Sequence, residues 1–194
     1  MVKNCDQQNP FCRLLDASTR EQLCEQATVV NQEPKQIQLN QGAQQLEIIA
    51  KGVLVTFTIL EDGSQKSIEL VREGDILGTH LLSRNIDYPD YYTMALTHVQ
   101  KCIFPLKVVR RLFDENRQFA QVLLQNISKR HAKNSIFWMT MYAKNSEEKV
   151  KYIYELLQNE HVDMTRITQE DLALLAGVSR ISVARAMKCI GKNA

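Results

Sequence analysis

The chain has 194 residues, 44% of them hydrophobic, and a formal net charge of +2. That length supports one or two domains with a real core, and a charge so near zero excludes a polybasic nucleic-acid binder. No stretch is apolar enough for a secretory signal or a membrane span, so a cytoplasmic protein with no membrane partner is expected.

Residues 10–30 read as a short helical region, with Phe11, Leu14 and Leu15 followed by Ser18-Thr-Arg-Glu21 as a capping box. From about Val29 to Phe104 the pattern changes to short strands. Ile37 to Leu39 alternates, Gln41-Gly42 turns, and Leu46 to Ile49 runs into Lys51-Gly52. Val53 to Leu60 is β-rich, Glu61-Asp-Gly-Ser64 makes a hairpin turn, Ser67 to Val71 returns, and Glu73-Gly74-Asp75 turns again. A further strand pair spans Tyr91–Leu96 and Lys101–Phe104. Many short strands at regular spacing indicate a small antiparallel barrel or jelly roll.

The pattern then turns helical from Leu106 to Tyr142, with apolar positions including Phe119, Val122, Leu123, Ile127, Ile136, Phe137 and Met141. Polar residues interrupt that run around Ser128–Asn134. A continuous helix of this length would reach ~50 Å, more than one small barrel buries, so its seam is expected to pair with a second copy of the chain. The plainer alternative is a helix packed on its own barrel. Asn145-Ser146 caps a further helix over Glu147–Gln158.

The last stretch, Ile167 to Met187, reads as two short helices and a tight turn. Thr168 caps the first with Asp171 in the capping-box position, and Leu172, Leu175 and Ala176 give its apolar face. Gly177 supplies positive φ, Val178 plugs the corner, and Ser179 caps the second helix. That helix turns Val183, Ala184 and Met187 inward and carries Arg180, Ser182, Arg185 and Lys188 on its other face. This is a helix-turn-helix with a basic recognition helix, although a helical hairpin with a solvated basic face has the same composition. From Arg180 to Ala194 there are four basic residues and no acidic ones, so DNA affinity should be local to this tail and doubled by dimerisation.

Barrel, long helix and helix-turn-helix, in that order, resemble the cyclic-AMP receptor protein/FNR (Crp/Fnr) superfamily of bacterial transcription regulators. The resemblance rests on Thr168-Gln-Glu-Asp-Leu-Ala, Gly177-Val-Ser-Arg180 and Val183-Ala-Arg185, with weaker support from Leu46-Glu-Ile-Ile-Ala-Lys-Gly52, Asp62-Gly63 and Gly74-Asp-Ile-Leu-Gly78. It implies an α+β fold in three parts: an effector-sensing, cyclic-nucleotide-binding-like β-barrel over 1–105, a long dimerisation helix over 106–143, and a helix-turn-helix domain over 144–194. It also implies a homodimer on a palindromic double-stranded DNA operator, contact with RNA polymerase, and a small-molecule effector held between barrel and long helix.

The DNA-facing set carried over is Thr168, Gln169, Ser179, Arg180, Ile181, Ser182, Arg185 and Lys188. Ile181 stands where many members have a glutamate that accepts from cytosine, and an isoleucine meets a thymine methyl instead. The effector set is Gly78, Thr79, His80, Tyr91, Tyr92, Thr93, Lys133 and Asn134. Here Gly78-Thr79-His80 replaces the family's Gly-Glu pair, and Tyr92-Thr93 stands where an arginine pair should hold a cyclic phosphate. That argues against a cyclic nucleotide. His80, Tyr88, Tyr91 and Tyr92 could instead line a pocket for an aromatic or weakly polar effector, or simply pack the barrel lip.

Five cysteines (Cys5, Cys12, Cys24, Cys102 and Cys189) are odd in number and scattered, which suits reduced thiols. Their spacing argues against an iron–sulfur cluster, and the four histidines argue against haem or another metal. With no catalytic constellation, an enzyme is not expected. Family members usually continue into a β-hairpin wing after the recognition helix, whereas this sequence ends at Ala194. That leaves open a dimeric ligand-binding module with a truncated DNA-binding domain.

Overall fold

The computed structural model describes residues 9–40, 45–83 and 88–190. The expected turn at Gln41-Gly42, Cys5, and the residues after Ile190 that bear on a wing lie outside them. The first α-helix, α1 (Ala17–Glu25), starts slightly earlier than the Ser18 box suggests. Asp16 is its cap, accepting from the Thr19 amide and hydroxyl at 2.8 Å each. A carboxylate is acceptor-only and meets both donors, so it wins the position over a serine.

Eight strands follow among the described residues: β1 (Thr28–Gln32), β2 (Ile37–Asn40), β3 (Gln45–Lys51), β4 (Leu54–Ile59), β5 (Gln65–Val71), β6 (Ile76–Leu77), β7 (Tyr91–Ala95) and β8 (Val99–Pro105). They form two four-stranded sheets of order β1-β8-β3-β6 and β2-β7-β4-β5, with every pairing antiparallel. Between the sheets lie Ile49, Leu54, Val71, Leu77, Ala95 and Val99, drawn from both. Also between them is a fully buried ion pair, in which Lys101 donates to Glu47 at 2.9 Å and to Gln38 Oε1 at 2.8 Å.

Both outer faces are covered too, which is why several strands read as apolar runs rather than clean alternation. Leu46, Ile48, Cys102 and Phe104 of the first sheet pack under Phe11, Leu15 and Leu23 and the start of the long helical region. Val55, Phe57, Leu70 and Met94 of the second sheet pack under Met141, Ile153, Leu172 and Leu175 from the C-terminal helices. The molecule is therefore helix, sheet, sheet, helix in section.

The helical stretch after β8 is not one continuous helix. It comprises α2 (Leu106–Glu115) and α3 (Arg117–Tyr142), separated by Asn116 in an extended conformation. Asn116 caps α3 through the Phe119 amide at 3.0 Å and donates to the Thr19 hydroxyl at 2.7 Å, so it ends one helix and starts the next. Neither Ile127 nor Phe137 belongs to an outward seam. Ile127 packs against the first-sheet core and Phe137 against the core shared with the C-terminal helices. Three more α-helices follow among the described residues: α4 (Ser146–Asn159), α5 (Gln169–Ala176) and α6 (Arg180–Ile190). Among the described residues no helix is long and apolar enough to cross a membrane.

Candidate DNA interface and effector cavity

Helix α5 begins with the reciprocal cap expected of it. The Thr168 hydroxyl accepts from the Asp171 amide at 3.2 Å, and the Asp171 carboxylate accepts from the Thr168 amide at 2.6 Å. Gly177 ends it in the left-handed region, at φ +62°, where a β-carbon is strained. Val178 is half-buried in the corner, and Ser179 Oγ accepts from the Ser182 amide at 3.2 Å. Val183 and Ala186 are the fully buried residues of α6, so its inner face is displaced from the expected Ala184.

Ser179, Arg180, Ile181, Arg185 and Lys188 are exposed, with Ser182 half-buried beside them. Ile181 is a large apolar side chain left 67% exposed at the start of a basic helix. Arg180 forms an ion pair with Glu170 at 2.8 Å in open solvent, a contact worth little and readily exchanged for another anion. Gln169 is exposed, while the Thr168 hydroxyl is committed to the cap. Asp171 also takes an ion pair from Lys35 after β1, tying the first turn of α5 to the β1–β2 connection. That second role carries no sequence signal, because the partners are far apart in the chain.

The cavity lies between the inner face of the second sheet, the turn after β6 and the middle of α3. Its volume is about 200 Å³. Five of the residues expected there line it: Gly78, Thr79, His80, Tyr91 and Asn134. Tyr92, Thr93 and Lys133 do not. Strand alternation turns Tyr92 outward to stack on Phe57, with ring centroids 5.4 Å apart. Thr93 points inward but away from the cavity, fully buried near Asn40, and Lys133 is exposed on α3. Gly78 must be glycine here, since at φ +82° a β-carbon would sit 2.6 Å from the Gln45 carbonyl.

One wall is aromatic. His80 and Tyr88 stack at 4.3 Å, and Tyr91 meets both rings edge-on at 6.2 and 5.8 Å. The opposite wall is polar and comes mostly from α3. Arg130 forms an ion pair with Glu69 of β5 and donates to the Ile76 carbonyl, and Asn134 donates to the same carboxylate. Burial disfavours the Arg130 charge, but Glu69 and then Asp75 overcome this and hold it protonated. Burial pushes the Asp75 carboxyl up, and burial followed by the Glu47 charge pushes the Tyr91 hydroxyl up.

Sequence reading missed Glu69, Arg130 and Asn126. The available signal was the polar spacing Asn126, Arg130, Asn134, three residues four apart on one helical face. It lies across the polar interruption of α3, on the side that faces the sheets.

Burial, and then the Arg130 charge, hold the His80 imidazole below its ordinary pKa of 6.5. A depressed value means that His80 contributes stability above pH 6.5, which is lost as pH falls through the folded value. The raised Asp75 works with the opposite sign, so the comparison must be between variants. The melting temperature of the wild type should fall on acidification below pH 6.5 more steeply than that of His80→Asn; coincident slopes would assign the loss to another group.

Among the described residues no group of three or more His, Cys, Asp or Glu side chains could hold a metal ion. Cys12, Cys24 and Cys102 are buried and Cys189 is exposed on α6.

No protein-family model matches the chain. A curated relative, the global nitrogen regulator of Synechococcus elongatus, is 27% identical over 89 residues, spanning 45% of this chain but only 40% of that protein. Solved structures share the fold over most of the chain. A transcriptional regulator of the crp/fnr family from Eubacterium rectale has a TM-score of 0.74 at 14% identity, covering 95% of this chain and 87% of that one. The c-di-GMP-responsive global regulator CLP from Xanthomonas campestris matches with a TM-score of 0.74 at 14% identity, over 92% and 93% of the two chains. A CRP-family transcriptional regulator from Thermus thermophilus reaches a TM-score of 0.69 at 14% identity, over 84% and 85%.

Proposed function

We propose that this chain, which has the fold of the Crp/Fnr transcription regulators, is an effector-responsive, sequence-specific DNA-binding regulator that acts as a homodimer. The observation that carries the reading is strand β5, which touches the cavity and the helix-turn-helix at once. Glu69 holds Arg130 and Asn134 in the cavity wall, while Ser67 two residues earlier donates to the Leu175 carbonyl of α5 at 3.3 Å. Between them Ile68 is the extra residue of a bulge opposite Thr56 and Phe57, and its carbonyl accepts from the Trp138 indole at 3.1 Å. A ligand that moves β5 or α3 therefore shifts the seat of α5. The same fold in known transcription regulators supports a palindromic operator and contact with RNA polymerase in a cytoplasmic setting. An effector other than a cyclic nucleotide fits better, because the cavity's arginine comes from α3 and is already spent on Glu69.

On DNA, Arg180 and Arg185 enter the major groove with Ile181 against a thymine methyl, and Gln169 and Lys188 flank them. Arg180→Ala should weaken binding to the preferred site by about 1–3 kcal/mol and relax preference at one base pair, as read by fluorescence anisotropy on single-base variants. A loss uniform across sequences would make Arg180 a phosphate contact.

A further inference from the structure

The effector cavity on which the regulator reading rests also states what chemistry it accepts. Two of its buried polar atoms have no hydrogen-bond partner: the hydroxyl of Thr56, a residue 1% exposed, and the side-chain carbonyl of Asn126. Both belong to residues that line it. The Asn126 amide nitrogen already donates to the Gly74 carbonyl at 2.8 Å, which fixes its oxygen as an acceptor facing nothing. Buried polar groups left this way are costly, and in native structures they mark a ligand or water position.

The charges in the wall are already balanced. Arg130 spends its guanidinium on Glu69 and the Ile76 carbonyl, and Glu69 accepts from Arg130 and Asn134. An anionic ligand would have to pull Arg130 from Glu69 and leave a carboxylate buried without its partner. A cation would do the reverse, and either exchange is unfavourable. A neutral ligand disturbs neither. The facing wall of His80, Tyr88 and Tyr91 presents ring faces and edges to a planar group. A volume of about 200 Å³ lies below the ~300–1,000 Å³ of sites for drug-sized molecules, which limits the ligand to about one ring.

We infer that the cavity binds a small uncharged aromatic molecule bearing an amide-like group, whose N–H donates to Asn126 Oδ1 and whose carbonyl accepts from the Thr56 hydroxyl. Such a group supplies one donor and one acceptor, the two functions that the unpartnered atoms require. The Glu69–Arg130 pair then stays closed under the ligand and serves as the polar floor of the site.

Three isosteric probes test this on the full chain by saturation-transfer NMR and calorimetry: benzamide, acetophenone, which lacks the donor, and benzoate, which carries a charge. Benzamide should bind about tenfold or more tightly than either of the others. Asn126→Leu should reduce benzamide to the level of acetophenone. Thr56→Val, which keeps the side-chain shape, should weaken benzamide and acetophenone alike, since both present the carbonyl that the hydroxyl serves. Benzoate binding as tightly as benzamide would overturn the inference, as would benzamide binding unchanged in both variants or no probe binding at about 10 mM. Because the readout is binding to the protein alone, failure to find an operator would sink the regulator reading and leave this assignment standing. The wrong ranking of probes would sink this assignment alone.

Discussion

Glu69→Ala should destabilise the protein by about 3–5 kcal/mol, a fall of about 6–20 °C in melting temperature for a chain of this size. The cause is not the lost attraction itself but what the substitution leaves behind. Arg130 remains buried against the sheets with its charge, retaining the Ile76 carbonyl and losing both carboxylate oxygens. Asn134 loses its acceptor as well. Replacing the pair together, as Glu69→Leu with Arg130→Met, should recover most of the loss, since two apolar side chains need no mutual compensation. The comparison separates a buried pair from a surface one. If Glu69→Ala costs less than about 1 kcal/mol in urea denaturation, the pair behaves as a solvated contact and the cavity floor is not as described.

The second large effect concerns assembly. On α3, Leu124, Ile136, Met139 and Tyr142 are 61%, 63%, 70% and 83% exposed. At 3.6 residues per turn they fall within about a third of the helix circumference, with Ser128, Ala132 and Ser135 between them. The opposite side, from Phe119 through Arg130 to Met141, packs on the two sheets. An apolar stripe with small residues at its centre lets a second helix approach closely, so this face is where a second copy should lie. The double substitution Ile136→Asp with Met139→Asp should give monomers in sedimentation and lower affinity for a two-half-site DNA by about 10²–10⁴, because the second half-site contact ceases to be intramolecular. Ile127→Asp and Phe137→Asp should instead damage the fold, since both side chains are packed inside their own chain. A dimer that survives the double substitution would place the interface elsewhere.

These two cases show how far the sequence could be read. The helix-turn-helix was legible because its signals are local: a cap at Thr168, positive φ at Gly177 and a plug at Val178 lie close together in the chain. The two-sheet architecture was legible from strand spacing. What escaped was the assignment of faces. A strand buried on both sides, such as β4 with Leu54 inward and Val55 outward, carries no alternation to orient it. Helix α3 likewise has apolar residues on the sheet side and on the open side, so Ile127 and Phe137 could not be told from Ile136 and Met139. The break at Asn116 was missed because an asparagine inside a helical pattern does not by itself announce a cap. The cavity was half legible: its aromatic wall follows from neighbours in sequence, whereas Glu69 and Arg130 are brought together only by the fold.

The central claim is that the chain recognises a specific DNA sequence as a symmetric dimer. Selection from a random-sequence DNA pool at moderate salt, with and without benzamide, tests it most directly. The expected product is a two-fold symmetric site whose half-site centres lie ~34 Å apart, with a thymine at the position facing Ile181 and enrichment lost in Arg180→Ala. Enrichment of no palindrome under either condition would contradict the claim, and the protein would then be a dimeric ligand-binding module whose helix-turn-helix does not read DNA.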